Sequence, residues 1–148
     1  MKLVDKINED IKTAMKKGDK TRLSVLRMFK SDLKYRQIDA GRDITDDDCV
    51  AVLSSAAKKR RDAIEGFGRG GRNDLVDKEK AELEIINEYL PKQISDEELS
   101  RLVDDVVSET NASTTTDIGM VMKNIMPRVK GRVDGRKVNE LVVNKLKE

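Results

Sequence analysis

A chain with no histidine and a single cysteine, Cys49, has few ways to do chemistry. The usual zinc sets, a Cys-His pair and a Ser-His-Asp triad are out of reach, so acid-base work would fall to carboxylates, lysines or tyrosines with displaced pKa values. Several local patterns imitate sites. Gly66, Gly68 and Gly71 fit G-x-G-x-x-G, but they follow a helical pattern instead of a strand, so an interhelical loop is expected. Ser55 and Lys58 fit S-x-x-K without its companion motifs. Asp46, Asp47 and Asp48 stand at a predicted helix start, where carboxylates complement the dipole, and no glycine-containing calcium loop follows. Met120, Met122 and Met126 recur at helical spacing among Val121 and Ile125, which predicts core packing, Met120 least of all. No catalytic residue, metal site or cofactor is predicted.

The remaining chemistry is that of charge. The net charge of +2 hides a polarised layout. From Ser95 to Asp117 seven acidic residues face Arg101 alone, a net of −6, and from Ile118 to Glu148 eight basic residues face three acidic ones, a net of +5. Lys123, Arg128, Lys130, Arg132, Arg136 and Lys137 surround Gly131 and Gly135, and such a loop is a candidate for phosphate binding, because glycine amides let an anion approach closely. The same two glycines are equally explained by a turn that needs positive φ. A weaker cluster, Lys58, Lys59, Arg60, Arg61, Arg69 and Arg72, flanks the first glycine run and reads equally well as a solvated helix face. The aromatics Phe29, Tyr35, Phe67 and Tyr89 all lie outside the Lys123 to Lys137 loop, so any nucleic acid there would be read by backbone and shape.

Helices must position these residues. Apolar residues recur at three and four: Leu3, Ile7, Ile11 and Met15, then Leu23, Leu26, Phe29 and Leu33. Gly18 and Gly41 are predicted to end the first two helices. Thr45 with Asp48 has capping-box spacing and opens a third, carrying Val50, Leu53, Ala57 and Ile64 into the glycine cluster. A fourth begins near Asn73, turns Val76, Leu83, Ile86 and Leu90 inward, and is broken by Pro91. Ser95 and Glu98 make a second, better capping box, followed by Leu99, Leu102, Val103 and Val106. After the polar stretch Thr110 to Thr116 comes a short helix with Ile118, Val121, Met122 and Ile125, closed by Pro127, and a last one with Val138, Leu141, Val142 and Leu146, its start capped by Asp134. The prediction is an all-α chain of seven helices in two units, four helices in residues 1–94 and three in 95–148.

Composition sets the outer bounds. Leu, Ile, Val and Phe supply 38 of 148 residues, enough for a modest core in a chain that is 39% charged. The longest apolar run, Cys49 to Leu53, is far short of the roughly twenty residues of a bilayer span, so no membrane association is predicted. A lone cysteine excludes an internal disulfide, and no basic-then-apolar leader precedes Leu3; both argue for a cytoplasmic protein.

The segment from Ile118 to Val142, with Gly119, Lys123 and the run Lys130-Gly131-Arg132-Val133-Asp134-Gly135-Arg136, resembles the GatB/YqeY tail. That is the helical C-terminal domain of the B subunit of glutamine-dependent aspartyl/glutamyl-tRNA amidotransferase and of free-standing YqeY-like proteins. Tyr89-Leu90-Pro91-Lys92-Gln93 is similar to the family's joint, and Leu23 to Met28 and Gly71 to Val76 resemble segments of the YqeY-like branch. Met120 and Asn124 depart from the pattern, standing where the family often has a basic residue and a glycine. The resemblance implies an accessory protein without catalytic activity of its own that binds tRNA, or a tRNA-modifying or aminoacylating enzyme with its tRNA, in the setting of glutamine-dependent amidation. The resemblance places the tail's loop on Lys130, Gly131, Arg132, Asp134, Gly135 and Arg136, with Gly119 and Lys123 before it, and together with the charge pattern the expected tRNA contacts are Lys123, Arg128, Lys130, Gly131, Arg132, Gly135, Arg136 and Lys137. A protein-protein adaptor that touches no RNA is the alternative.

Overall fold

A computed structural model describes residues 2–147, and they form seven α-helices, one 3-10 turn and no strand. The helices are α1 (Leu3–Lys17), α2 (Lys20–Ala40), α3 (Asp46–Arg69), α4 (Asn73–Tyr89), α5 (Asp96–Thr110), α6 (Ile118–Val129) and α7 (Gly135–Lys147), with the 3-10 turn at Thr115–Asp117. Backbone contacts divide the chain into two compact units, with the boundary between Pro91 and Lys92.

In the first unit the caps follow from sequence. Gly18 and Gly41 end α1 and α2 in the left-handed region, at φ 69° and 66°. The Thr45 hydroxyl accepts from the Asp48 amide while the Asp48 carboxylate accepts from the Thr45 amide, a complete capping box. Asp48 is only 5% exposed, and Arg42 grips it in a bidentate pair with Arg36 beside it. The Asp46 carboxylate instead accepts from the Leu3 amide at 3.0 Å and so serves the start of α1. Two of the three consecutive aspartates are therefore architectural, and no acidic cluster among the described residues is arranged to hold a metal ion. The core gathers Ile7, Val25, Leu26, Phe29, Leu33, Cys49, Leu53, Ala57 and Ile86. Cys49 is fully buried, and burial, with Asp46 and Asp48 nearby, pushes its thiol up to about 11, which makes it inert. One inward residue is corrected: Met15 is 53% exposed and Ala14 takes the core position. After Ile7 and Ile11 the buried stripe steps by three, which keeps it on one face of a 3.6-residue helix.

In the second unit the core is three short stripes at steps of three and four: Leu99, Val103 and Val106 on α5, Val121, Ile125 and Val129 on α6, Val138, Val142 and Leu146 on α7. Ile94, ahead of α5, joins them. Two expectations are corrected here. Pro127 lies inside α6 instead of closing it, since Val129 is fully buried and holds the last turn in place beyond the missing amide. The Ser95 hydroxyl accepts from the Glu98 amide at 3.2 Å, but the return bond is not made, and the Glu98 carboxylate lies 3.6 Å from Arg132. The Ser95 box is thus the weaker of the two. Of the methionines, Met122 and Met126 pack on the core and Met120 is exposed.

Candidate nucleic-acid interface

The loop between α6 and α7 is built by backbone bonds. The Arg132 amide donates back to Val129 O at 2.9 Å, and the turn places Gly131 at φ 75°, where a side chain would be strained. The segment ahead of α5 ties the loop down from outside. Gln93 Nε2 donates to Gly131 O at 2.9 Å, the Ile94 amide to Arg132 O at 2.9 Å, and Arg132 Nε to Lys92 O at 2.8 Å. Asp134 then opens α7 as expected, its Oδ1 accepting from the Arg136 amide at 3.0 Å. Gly135 does not share the reason for Gly131: its φ is not positive, and an added Cβ would meet only Met126 Cε at an ordinary 3.7 Å.

The basic side chains divide into two groups. Arg128 forms a bidentate pair with Glu109, Arg132 approaches Glu98, Arg136 lies 3.5 Å from Asp134, and Lys137 pairs with Asp96. On α7, Lys145 adds a bond to Asp104 at 3.1 Å. The acidic stretch and the basic stretch therefore face each other within the second unit. Arg128 holds the Glu109 carboxyl below its usual range. The Arg128, Lys137 and Lys145 pairs are solvent-exposed, where an ion pair is worth about 0–1 kcal/mol and exchanges partners readily, whereas Asp134 is 19% exposed. Lys123 and Lys130 are different. Both are exposed, and neither has an ion-pair partner among the described residues.

The second basic cluster disperses. Arg60 is buried against α4, its side chain 11% exposed and its Nε 3.2 Å from Glu82 and 3.6 Å from Glu79, so it is neither a solvated face nor an available cation. Arg69 pairs with Glu65 and Arg72 with Asp74. Arg61 is half-buried, which leaves Lys58 and Lys59 as the exposed lysines of the run.

Sequence reasoning missed a polar cleft in the first unit. Arg22 grips Glu88 with both terminal nitrogens, at 2.5 and 3.1 Å, and Tyr89 donates to Asp10 at 2.6 Å, with Lys6 bonded to the same carboxylate. Burial raises the Tyr89 phenol and the Asp10 carboxylate raises it further. Burial also lifts Asp10, but the bonds from Tyr89 and Lys6 outweigh it and leave that carboxyl lowered. Every group here has a partner, so the cleft is a clasp between α1, α2 and α4. Lys6 and Asp10 carry a local i,i+4 signal, whereas partners 66 and 79 residues apart carry none.

The family model described as "Yqey-like protein" matches residues 4–146. A relative from Lachancea thermotolerans, "Altered inheritance of mitochondria protein 41, mitochondrial", is 33% identical over 113 residues, covering 74% of this chain and 60% of that protein. A protein of the same name from Pyrenophora tritici-repentis is 25% identical over 143 residues, 95% of this chain and 78% of the relative. An uncharacterized protein of Schizosaccharomyces pombe is 33% identical over 89 residues, 60% of this chain and 72% of its own length. The chain spans less than two thirds of the Lachancea relative. These names overturn the cytoplasmic expectation, since relatives from several fungi are named as mitochondrial. A lone cysteine bears on disulfides in exported proteins and carries no information about organelles.

Proposed function

The chain belongs to the Yqey-like protein family, and from that premise we propose that it is a non-catalytic accessory protein that binds tRNA, or a tRNA-enzyme complex, in the setting of glutamine-dependent tRNA amidation. The second unit serves as its GatB/YqeY tail domain and the first as its own N-terminal helical domain. The observation that supports the reading is the pair Lys123 and Lys130, two exposed cations without a carboxylate among the described residues, with Lys130 beside the Gly131 turn and with Arg128 and Lys137 nearby in sequence, whose exposed partners Glu109 and Asp96 a phosphate can replace. Arg132 has a mainly architectural part, because its guanidinium and backbone hold the loop to residues 92–94.

The experiment is direct titration of the full chain with bulk tRNA at several salt concentrations. Saturable, sequence-indifferent binding that weakens steeply with salt is expected, since phosphate contacts carry no base identity. A protein partner is the second reading, favoured by Tyr35 and Ile38, which stand 68% and 66% exposed one turn apart on α2. A partner captured through that face would resist competition by bulk tRNA.

A further inference from the structure

Between α1 and α2 the first unit holds an open groove of about 310 Å³, within the range of small-ligand sites. Its apolar surface comes from Val4 and Ile7 on α1, Leu33 on α2 and Ile44 before α3. Lys30 and Lys34 line it one helical turn apart on α2, so their ammonium groups lie on the same face. Like charges at that spacing repel, and neither lysine has an acidic partner among the described residues, although the neighbouring Lys6 has Asp10 and Gln37 has Asp43. Asn8 also lines the groove, and its Oδ1 is buried without a hydrogen-bond donor. Buried amide oxygens are normally satisfied.

Two features thus meet in one space: an apolar wall, half-buried at Val4 and Ile44 over the buried Ile7 and Leu33, and two adjacent cations without an anion. We propose that the groove between α1 and α2 binds a small amphipathic anion whose hydrocarbon body lies on Val4, Ile7, Leu33 and Ile44 and whose carboxylate or phosphate bridges Lys30 and Lys34. The site is independent of the tRNA reading, which rests on the other unit. The chemistry is shared by a free fatty acid, an alkyl phosphate and the anionic lipid of a bilayer, and the site's size selects a single short chain.

The test titrates the full chain with decanoate, decyl phosphate and decanol below their micellar concentrations, by calorimetry and by amide chemical shifts. Vesicles of phosphatidylglycerol and phosphatidylcholine form a separate arm. Saturable binding of at least one anion is expected, with shifts grouped on α1, α2 and Ile44, and at least tenfold weaker binding of decanol. The Lys30→Met/Lys34→Met variant should lose at least tenfold in anion affinity while its melting temperature holds. Lys34→Glu, one exposed change on the same wall, should lose as much. Absence of saturable binding by both anions overturns the proposal. So do equal affinity for decanol, undiminished binding by the lysine variants, shifts elsewhere on the chain, or binding to vesicles alone.

Discussion

Lys58 to Arg72 and Lys123 to Lys137 each place six basic residues in fifteen positions, and a composition plot would treat them alike. Their fates differ because of what packs opposite. Facing the first run is α4, which brings Glu79 and Glu82 against Arg60 at 20% and 14% exposure, so that cation is locked into the packing of the helix pair. The second run faces α5, whose acids meet Arg128, Arg132 and Lys137 in the open, and Lys123 and Lys130 are left over. Lys58 and Lys59 also stay exposed, so the two runs differ in the burial of Arg60 and in the Gly131 turn beside Lys130, not in the presence of unmatched cations.

Substitutions can break that comparison, and the largest effect should come from Arg60→Met. It leaves Glu79 and Glu82 facing each other in a poorly solvated place, and removing one partner of a buried pair costs about 3 kcal/mol or more. Chemical denaturation should register it in the first unit, whereas Lys58→Ala and Lys59→Ala should each stay within about 0.5 kcal/mol.

Next in size is the effect of where the second unit is cut. Residues 95–148 lack Ile94, whose side chain is in the core and whose amide bonds to Arg132 O, and also lack the Lys92 and Gln93 contacts to the loop. A fragment of residues 92–148 should keep helical circular dichroism and exceed the 95–148 fragment by about 2 kcal/mol or more. Equal melting curves would mean the strap contributes nothing. The glycines give a smaller and sharper contrast. Gly131→Ala forces a side chain into the left-handed region at about 1–2 kcal/mol, while Gly135→Ala should leave stability unchanged or slightly raised. Gly135→Ala is therefore the clean probe of phosphate approach, and weaker tRNA binding by a fully stable variant would support it.

The pH response has the same sign in both units, since Glu109 in the second is lowered as well. Arg42, with Thr45, holds the Asp48 carboxyl far below its usual range, and Arg22 lowers Glu88. Depressed carboxyls add stability above their unfolded values near pH 4, and this is lost as pH falls through the lower folded values. Melting temperature should decline from pH 5 towards pH 2, and Asp48→Asn, already less stable at pH 7, should show a shallower decline.

Much of this is legible in the sequence, for physical reasons that stop at the same place. Helix periods and the stops at Gly18, Gly41 and Pro91 are local, and they are read correctly from neighbours along the chain. Pro127 misleads because a missing amide argues for a helix end, while the buried Val129 that keeps the turn is known only from packing. The −6 and +5 halves of the second unit are visible as charge, but which carboxylate meets which cation depends on helix docking. The clasp of Arg22 with Glu88 and of Tyr89 with Asp10 depends on docking too.

Whether the loop binds tRNA turns on the two lysines left without acids, Lys123 and Lys130. Salt-dependent titration of tRNA with the Lys123→Ala/Lys130→Ala variant tests it most directly, because this change breaks no ion pair and no cap among the described residues. If both contact duplex phosphates, affinity should fall for every tRNA alike, and the slope of log affinity against log salt should flatten by about 1.8, at roughly 0.9 per contact. An unchanged affinity and slope in a fully folded variant would contradict the account and leave the loop as architecture.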